Sequence, residues 1–335
     1  MILLYELVSK SKDMNILITG VTGFIGRALY KSISSFEEYN VIGVARRGNI
    51  NSSQKSKFKY VDDIGPYSDW KGYIKEVDTI FHLAGKAHDI REVAEEHQAE
   101  YMRVNVEGTL NLARQAAAAG VRRFIFISSI KVNGNFTKND SSYTTNSIPA
   151  PLGPYAKSKE IAEIGLRKLA IESEMEVVII RPSLVYGPGV KGNFKTLLRF
   201  IKSGIPIPLG LATKNKRSFM GIDNLVELLI ISINHPAAAN RTFLAGDEND
   251  ISTYELIKLL RNLSKSRSII IPIPIFFLKF FGKLFGLEDS LQTLLASLKV
   301  DISDTKATLQ WTPSNSLEEG IRKMIHEGSS KKNFL

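Results

Sequence analysis

The sequence predicts an α/β protein: a doubly wound parallel sheet with helices on both faces, followed by a smaller, mainly helical lobe. Three observations carry this. Strand and helix patterns alternate from Met14 to about residue 181. A triple-glycine turn, ITGVTGFIG over 18–26, joins the first strand pattern to the first helix pattern. The alternation then stops after VYGPG at 185–189, where helices and proline-bearing straps take over.

The elements follow in order. NILITG is a short apolar run with a β-branched bias, the pattern of a buried strand. FIGRALYKSI places Ile25, Leu29 and Ile33 at helical spacing. Between them, Gly20 permits the tight turn, Gly23 lets a diphosphate approach the backbone, and Gly26 lets helix and strand pack closely. The free N–H groups there, with those of Phe24 and Ile25 at the helix start, favour an anion. NVIGVA (40–45), FKYV (58–61) and DTIFHLAG (78–85) read as the next three strands. Alanine and leucine density over 104–120 predicts a helix that Gly120 stops. RRFIFISS (122–129) is the fifth strand, with Ser129 at its end. A helix spans Tyr155 to Ser173, and EVVIIRP (176–182) is the sixth strand. The expected division is a poorly ordered extension over 1–13, a sheet domain over 14–186 and a lobe over 187–330, with interleaving of the two left open.

Composition narrows the function classes. The chain has no cysteine, which excludes disulfides and thiolate chemistry. Its five histidines are scattered, so no metal centre is expected. The net charge of +10 suits an anionic ligand, but no nucleic-acid motif accompanies it, and the basic run over 52–60 reads as a solvated loop. No secretory signal is evident, so a cytoplasmic location is expected. FFLKFFGKLFG (276–286) predicts a lobe helix buried on most sides. The alternative is a weak contact with a membrane surface, since the run is too short to span one.

The chemistry rests on Ser129, Tyr155 and Lys159. YAKSK puts Tyr155 and Lys159 four residues apart, on one face of a helix. A free phenol ionises near pH ~10, too high for a base at neutrality. A nearby ammonium is expected to lower that value. The lysine can also bind a nicotinamide ribose, and the serine hydroxyl can hydrogen-bond a substrate oxygen. The three together can move a proton on and off a carbinol while a hydride passes to or from nicotinamide.

Set in order, TGVTGFIG, HLAG (82–85), VNVEGT (104–109), SSI (128–130), YAKSK and RPSLVYGPG (181–189) resemble an extended short-chain dehydrogenase/reductase of the NAD-dependent epimerase/dehydratase group. The resemblance implies a Rossmann-type sheet domain, an NAD or NADP(H) cofactor and a nucleotide-sugar substrate, here a UDP-hexosamine. It also implies a homodimer and a role in surface-polysaccharide precursor synthesis. It places Asp63 and Ile64 near adenine, Leu83, Ala84 and Gly85 along the cofactor, and Asn105 as a brace of the central sheet. Lys86, Lys131, Asn193, Phe194 and Arg217 fall to the substrate, Arg217 at its diphosphate.

Departures refine the expectation. Dehydratases of the group follow the catalytic hydroxyl residue with Asp-Glu, whereas Ile130 and Lys131 stand here, which disfavours dehydration. Leu184 replaces the asparagine that usually precedes VYGP. Arg46 and Arg47 end the second strand where NAD-preferring members carry an acid, so they would accept a 2′-phosphate unless they are simply solvated. Ser297 and Leu298 are small where glucose-restricted epimerases carry a tyrosine, which leaves room for an N-acetyl group. The favoured expectation is a reductase of a UDP-4-keto-6-deoxy-N-acetylhexosamine. The alternative is a UDP-glucose or UDP-N-acetylglucosamine 4-epimerase with tightly bound NAD. A non-catalytic dinucleotide sensor is disfavoured because the tyrosine and lysine are both kept.

Overall fold

The computed structural model describes residues 14–47, 57–86, 95–138, 140–284, 286 and 288–329. The extension expected over 1–13 and part of the basic run over 52–60 lie outside the described residues.

Seven strands form one parallel sheet in the order β3-β2-β1-β4-β5-β6-β9. They are β1 (Met14–Thr19), β2 (Tyr39–Arg46), β3 (Lys59–Val61), β4 (Thr79–His82), β5 (Arg123–Ile127), β6 (Glu176–Pro182) and β9 (Thr242–Ala245). The helices before the lobe are α1 (Phe24–Ile33), α2 (Lys71–Ile74), α3 (Glu95–Tyr101), α4 (Thr109–Ala118) and α5 (Pro154–Glu172). The chain runs outward from β1 through β2 to β3, then crosses back to lay β4 on the other side of β1. That reversal opens a crevice at the carboxyl ends of β1 and β4, where ligands of doubly wound sheets bind.

Alternation of side chains divides the core. Ile16 and Ile18 point to the layer holding Leu29 and Ile33 of α1, while Leu17 points to the layer of Leu112 and Ala116 on α4 and Leu166 on α5. All of these are fully buried, each leucine or isoleucine worth about 1.5–3 kcal/mol relative to exposure. The helix expected over 104–120 is composite. A π-helical stretch, Met102–Gly108, joins α3 to α4, and Gly120 follows with φ +79.

After β6 the chain builds the lobe from β7 (Leu184–Tyr186), α6 (Gly192–Lys202) and β8 (Phe219–Gly221), with β7 and β8 paired in parallel. Then α7 (Ile222–Asn234) and β9 return to the sheet, so the lobe is interleaved with it. Leu225, Leu228 and Leu229 of α7 share the α1 layer. The chain leaves again through α8 (Thr253–Leu263), α9 (Ile275–Leu284), α10 (Glu288–Leu295), α11 (Ser303–Leu309) and α12 (Leu317–Ser329). Buried Asp247, just past β9, locks the crossing. It accepts from Tyr186 Oη at 2.9 Å, Gly221 N at 2.9 Å and Asn224 Nδ2 at 2.8 Å. Among the described residues, no helix is long and apolar enough to cross a membrane.

His82 closes β4 in full burial. Its Nδ1 lies 2.8 Å from Thr19 Oγ1 and its Nε2 2.9 Å from Thr109 Oγ1, so one neutral ring ties β1, β4 and α4. Burial first, and the charge of Lys159 second, push its pKa from 6.5 down to about 3. Between those values the unfolded chain binds a proton that the folded chain refuses, so stability falls as pH falls below 6.5. The cost reaches about 2 kcal/mol by pH ~5. Denaturant titrations across this range should show His82→Gln with the shallower pH dependence. Equal slopes in the two proteins would contradict the account.

Candidate functional site

The glycine turn lies on one side of the crevice. Gly20 has φ +69, and a Cβ there would sit 2.7 Å from Ala84 N. A Cβ on Gly26 would sit 2.2 Å from Gly20 O, so helix and turn touch only because that atom is missing. Gly23 caps α1 in extended conformation and is exposed, leaving the first amides of the helix, including those of Phe24 and Ile25, open. This cradle suits a diphosphate on both steric and dipolar grounds.

The turn after β4 forms the opposite wall. Ala84 is buried, Leu83 is partly buried and Gly85 is exposed. Asn105, in the π-helical stretch, ties this wall to α5. Its Oδ1 accepts from Lys86 N at 2.8 Å, and its Nδ2 donates to Lys86 O at 3.1 Å and to Ser158 Oγ at 3.0 Å. A π-helical insertion at such a junction re-aims side chains that a regular helix would leave misplaced. Asp63 is ion-paired with Arg103, whose hydrogen bond holds the Asp63 carboxyl below its usual range. Ile64 is buried beside it. The two arginines at the end of β2 diverge. Arg47 pairs with Asp62 at 2.9 Å in the open, while the charge of Arg46 acts on Asp63.

Ser129, Tyr155 and Lys159 meet at the carboxyl edge. Ser129 lies two residues past β5 rather than within it, and its Oγ accepts from Lys131 N at 3.2 Å as the cap of a short 3-10 turn. The same serine hydrogen-bonds the Tyr155 phenol. Lys159 is buried, its Nζ donating to Ile127 O at 2.9 Å and lying 4.4 Å from the Phe126 ring centre. A Cβ on Gly85 would come within 3.7 Å of that ammonium. The expectation that the ammonium lowers the phenol pKa is corrected here. Burial pushes Tyr155 up to about 12, against the opposing bond from Ser129. Burial pulls Lys159 down to about 8, while Glu163 acts to raise it.

Glu163 was not singled out by the sequence. It sits one turn beyond Lys159, fully buried. It accepts from Ser128 Oγ at 2.5 Å, from Arg181 at 2.8 and 2.5 Å, and from Arg167 at 2.7 Å. Burial opposes its ionisation, but these donors outweigh it and hold the pKa below the usual value. Arg181 also donates to Asn133 Oδ1 at 2.9 Å. One carboxylate therefore ties α5, β5, β6 and the turn after Ser129.

Several expected substrate residues reach the same edge. Lys131 Nζ lies 6.0 Å from the Tyr155 ring centre, and burial followed by the charge of Arg217 lowers its pKa to about 8. Arg217 donates to Thr293 O at 2.6 Å and Ala296 O at 3.1 Å. Lys86 is ion-paired with Glu100 and lies 5.5 Å from the centre of the Tyr101 ring, which packs edge-on to Tyr155. Two of the expected positions pack into the core. The Phe194 ring is core, stacked on Tyr186 at 5.8 Å, so only its backbone amide in the first turn of α6 is offered to a ligand. Leu298 is also core, and Ser297 Oγ accepts from Lys216 N at 3.0 Å. Asn193 falls in the same turn of α6, and its side chain lies outside the described set. No group of metal-ligating side chains occurs among the described residues.

The model of the family described as "NAD dependent epimerase/dehydratase family" matches residues 16–246. The chain belongs to this family. It is an enzyme, and a nicotinamide dinucleotide is its cofactor. The glycine cradle and the space beside Gly85 and Lys159 fit such a group. The chain is 44% identical over 308 residues to a UDP-glucose 4-epimerase of Vibrio cholerae, covering 92% of this chain and 93% of that one. Its fold is similar to that of a UDP-glucose 4-epimerase from Thermotoga maritima solved with UDP-glucose, with TM-score 0.75, 22% identity and coverage of 95% and 99%. It is also similar to RMD from Pseudomonas aeruginosa solved with NADPH, with TM-score 0.74, 21% identity and coverage of 95% and 100%.

Replacing Glu163 by Gln should leave Arg181 buried without its counter-charge. We expect a loss of about 3 kcal/mol in unfolding free energy and a shift of the activity profile to lower pH as Lys159 loses its supporting anion. Stability and profile both unchanged would show that the carboxylate holds nothing in place.

Proposed function

We propose that this enzyme is a UDP-sugar 4-epimerase. The observation that carries the reading is the meeting of Ser129, Tyr155 and Lys159 beside the glycine cradle, in a chain similar over nearly its full length to a UDP-glucose 4-epimerase. When bound, an oxidised nicotinamide accepts and returns a hydride and adds a positive charge that favours the phenolate. Tyr155 takes the proton from the C4 hydroxyl and gives it back. Ser129 donates to the same sugar oxygen. Lys159 holds the ribose through its ammonium. Arg217, Lys131 and the first-turn amides of α6 receive the diphosphate end, where their positive charge is complementary. Asp63 and Ile64 flank the adenine.

The reductase favoured by the sequence becomes the second reading. Its support is Arg46, the arginine at the end of β2 that is left to meet a 2′-phosphate once Arg47 pairs with Asp62. Dehydration lacks its acid and base, since Ile130 is core and Lys131 is a cation. The sugar is a hexose or N-acetylhexosamine, and a role in surface-polysaccharide precursor synthesis in the cytoplasm fits it. A homodimer would cover Ile161, Ile164 and Ile171, an exposed stripe on α5. A monomer mass by light scattering would exclude it.

Purified enzyme should interconvert UDP-glucose or UDP-N-acetylglucosamine with its C4 epimer when no cofactor is added. Tyr155→Phe should lower turnover by about 10²–10⁴ while cofactor binding persists. Turnover of a 4-keto-6-deoxy sugar with NADPH, and none of the unmodified sugars, would select the reductase. More than a tenth of the wild-type rate in the phenylalanine variant would remove Tyr155 from the chemistry.

A further inference from the structure

The lobe carries an apolar surface that the proposed chemistry does not use. Helix α9 packs on the lobe through buried Leu278 and Gly282 and partly buried Ile275. On its other side Phe276, Phe277, Phe280, Phe281 and Leu284 are 45–67% exposed. At 100° per residue these five span one continuous sector, and Lys279 and Lys283 fall together on its flank. The strap leading into the helix adds Ile269, 64% exposed, whose carbonyl accepts from Ile207 N at 2.8 Å. This corrects the expectation of a helix buried on most sides. A ten-residue helix with five large apolar side chains in water is far outside ordinary surface composition.

The stretches that lead into it and pair with its strap are cationic, with Glu288 and Asp289 following only at the start of α10. From Leu256 to Leu287 there are six lysines and arginines and no carboxylate. From Ser183 to Ile222, the part of the lobe that pairs with the strap, there are seven and again no carboxylate. A second copy of this chain would bring the same cations face to face, so self-association through this surface is opposed by its charge. The helix is also too short to span a bilayer, which takes about 20 apolar residues. An apolar sector flanked by lysines is instead the arrangement of a helix lying in the plane of a membrane interface, with rings in the acyl boundary and ammonium groups among anionic heads.

We propose that α9 and its leading strap dock the enzyme peripherally on an anionic bilayer surface. The docking holds Phe276, Phe280 and Leu284 below the head groups and Lys279 and Lys283 at their level. It needs no movement of the sheet domain, and it stands independently of the sugar or the direction of the reaction.

Sedimentation with vesicles decides it. Full-length protein at low salt is mixed with phosphatidylethanolamine vesicles containing phosphatidylglycerol, or with phosphatidylcholine vesicles. Wild type should pellet with the anionic vesicles and be released by salt. Phe276→Ser with Phe280→Ser should weaken the partition by at least about tenfold, and Lys279→Gln with Lys283→Gln by about tenfold or more. Circular dichroism and sugar turnover in solution should remain at wild-type level in both double variants, since none of the four residues belongs to the proposed site. Absence of wild-type pelleting at low salt would overturn the proposal. So would equal pelleting of the serine variant, or a change of oligomeric state in that variant with no change in vesicle binding.

Discussion

The site depends on one buried charge. Glu163 sits in full burial, where an unpaired carboxylate would be costly, and it is ionised only because Arg181, Arg167 and Ser128 converge on it. Each partner comes from a different part of the site's framework. Ser128 precedes the serine that meets the phenol. Arg181 belongs to β6 and also holds Asn133 beyond the 3-10 turn. Glu163 itself stands one turn from Lys159. The geometry of Ser129, Tyr155 and Lys159 is therefore backed by a polar knot behind it, in addition to the bond between Ser129 and Tyr155.

Around that knot the electrostatics are opposed in a useful way. Burial pushes the Tyr155 phenol up and the Lys159 ammonium down, so the phenol keeps its proton at neutrality while burial disfavours the charged form of each group. The surroundings are cationic, with Arg217 near enough to add to the burial that lowers the Lys131 pKa. In the proposed reaction a dianionic diphosphate would relieve that repulsion on entering and so draw a nucleotide sugar to the edge beside the phenol. The glycine turn separately offers backbone amides and the dipole of α1, an arrangement that suits a second anion.

Much of this was legible in the chain. The glycine turn, the strand alternation and the YAKSK spacing depend on local periodicity, and local periodicity survives folding. The strand end at Ser129 was placed two residues late, because apolar content cannot show where a ladder stops and a capped turn begins. Strand β9 and helix α7 were not assigned to the sheet. Nothing local in TFLA tells a strand that pairs with β6 from one that stays in the lobe. Glu163 was missed for a related reason. Its meaning lies in Arg181, 18 residues on, and in Ser128, 35 residues back. The exposure of α9 is also hidden, since a run of phenylalanines reads as core until the structure shows Leu278, Gly282 and, in part, Ile275 facing inward.

The central claim is that one bound cofactor takes hydrogen from C4 of the sugar and returns it to the same carbon, with Tyr155 carrying the proton. Its most direct test is the fate of deuterium placed at C4 of UDP-glucose or UDP-N-acetylglucosamine, followed by NMR of the product in ordinary water. The account predicts a C4 epimer that keeps its deuterium at C4, with none passing to added unlabelled cofactor. An epimer with hydrogen at C4, or label recovered in the free cofactor pool, would contradict it.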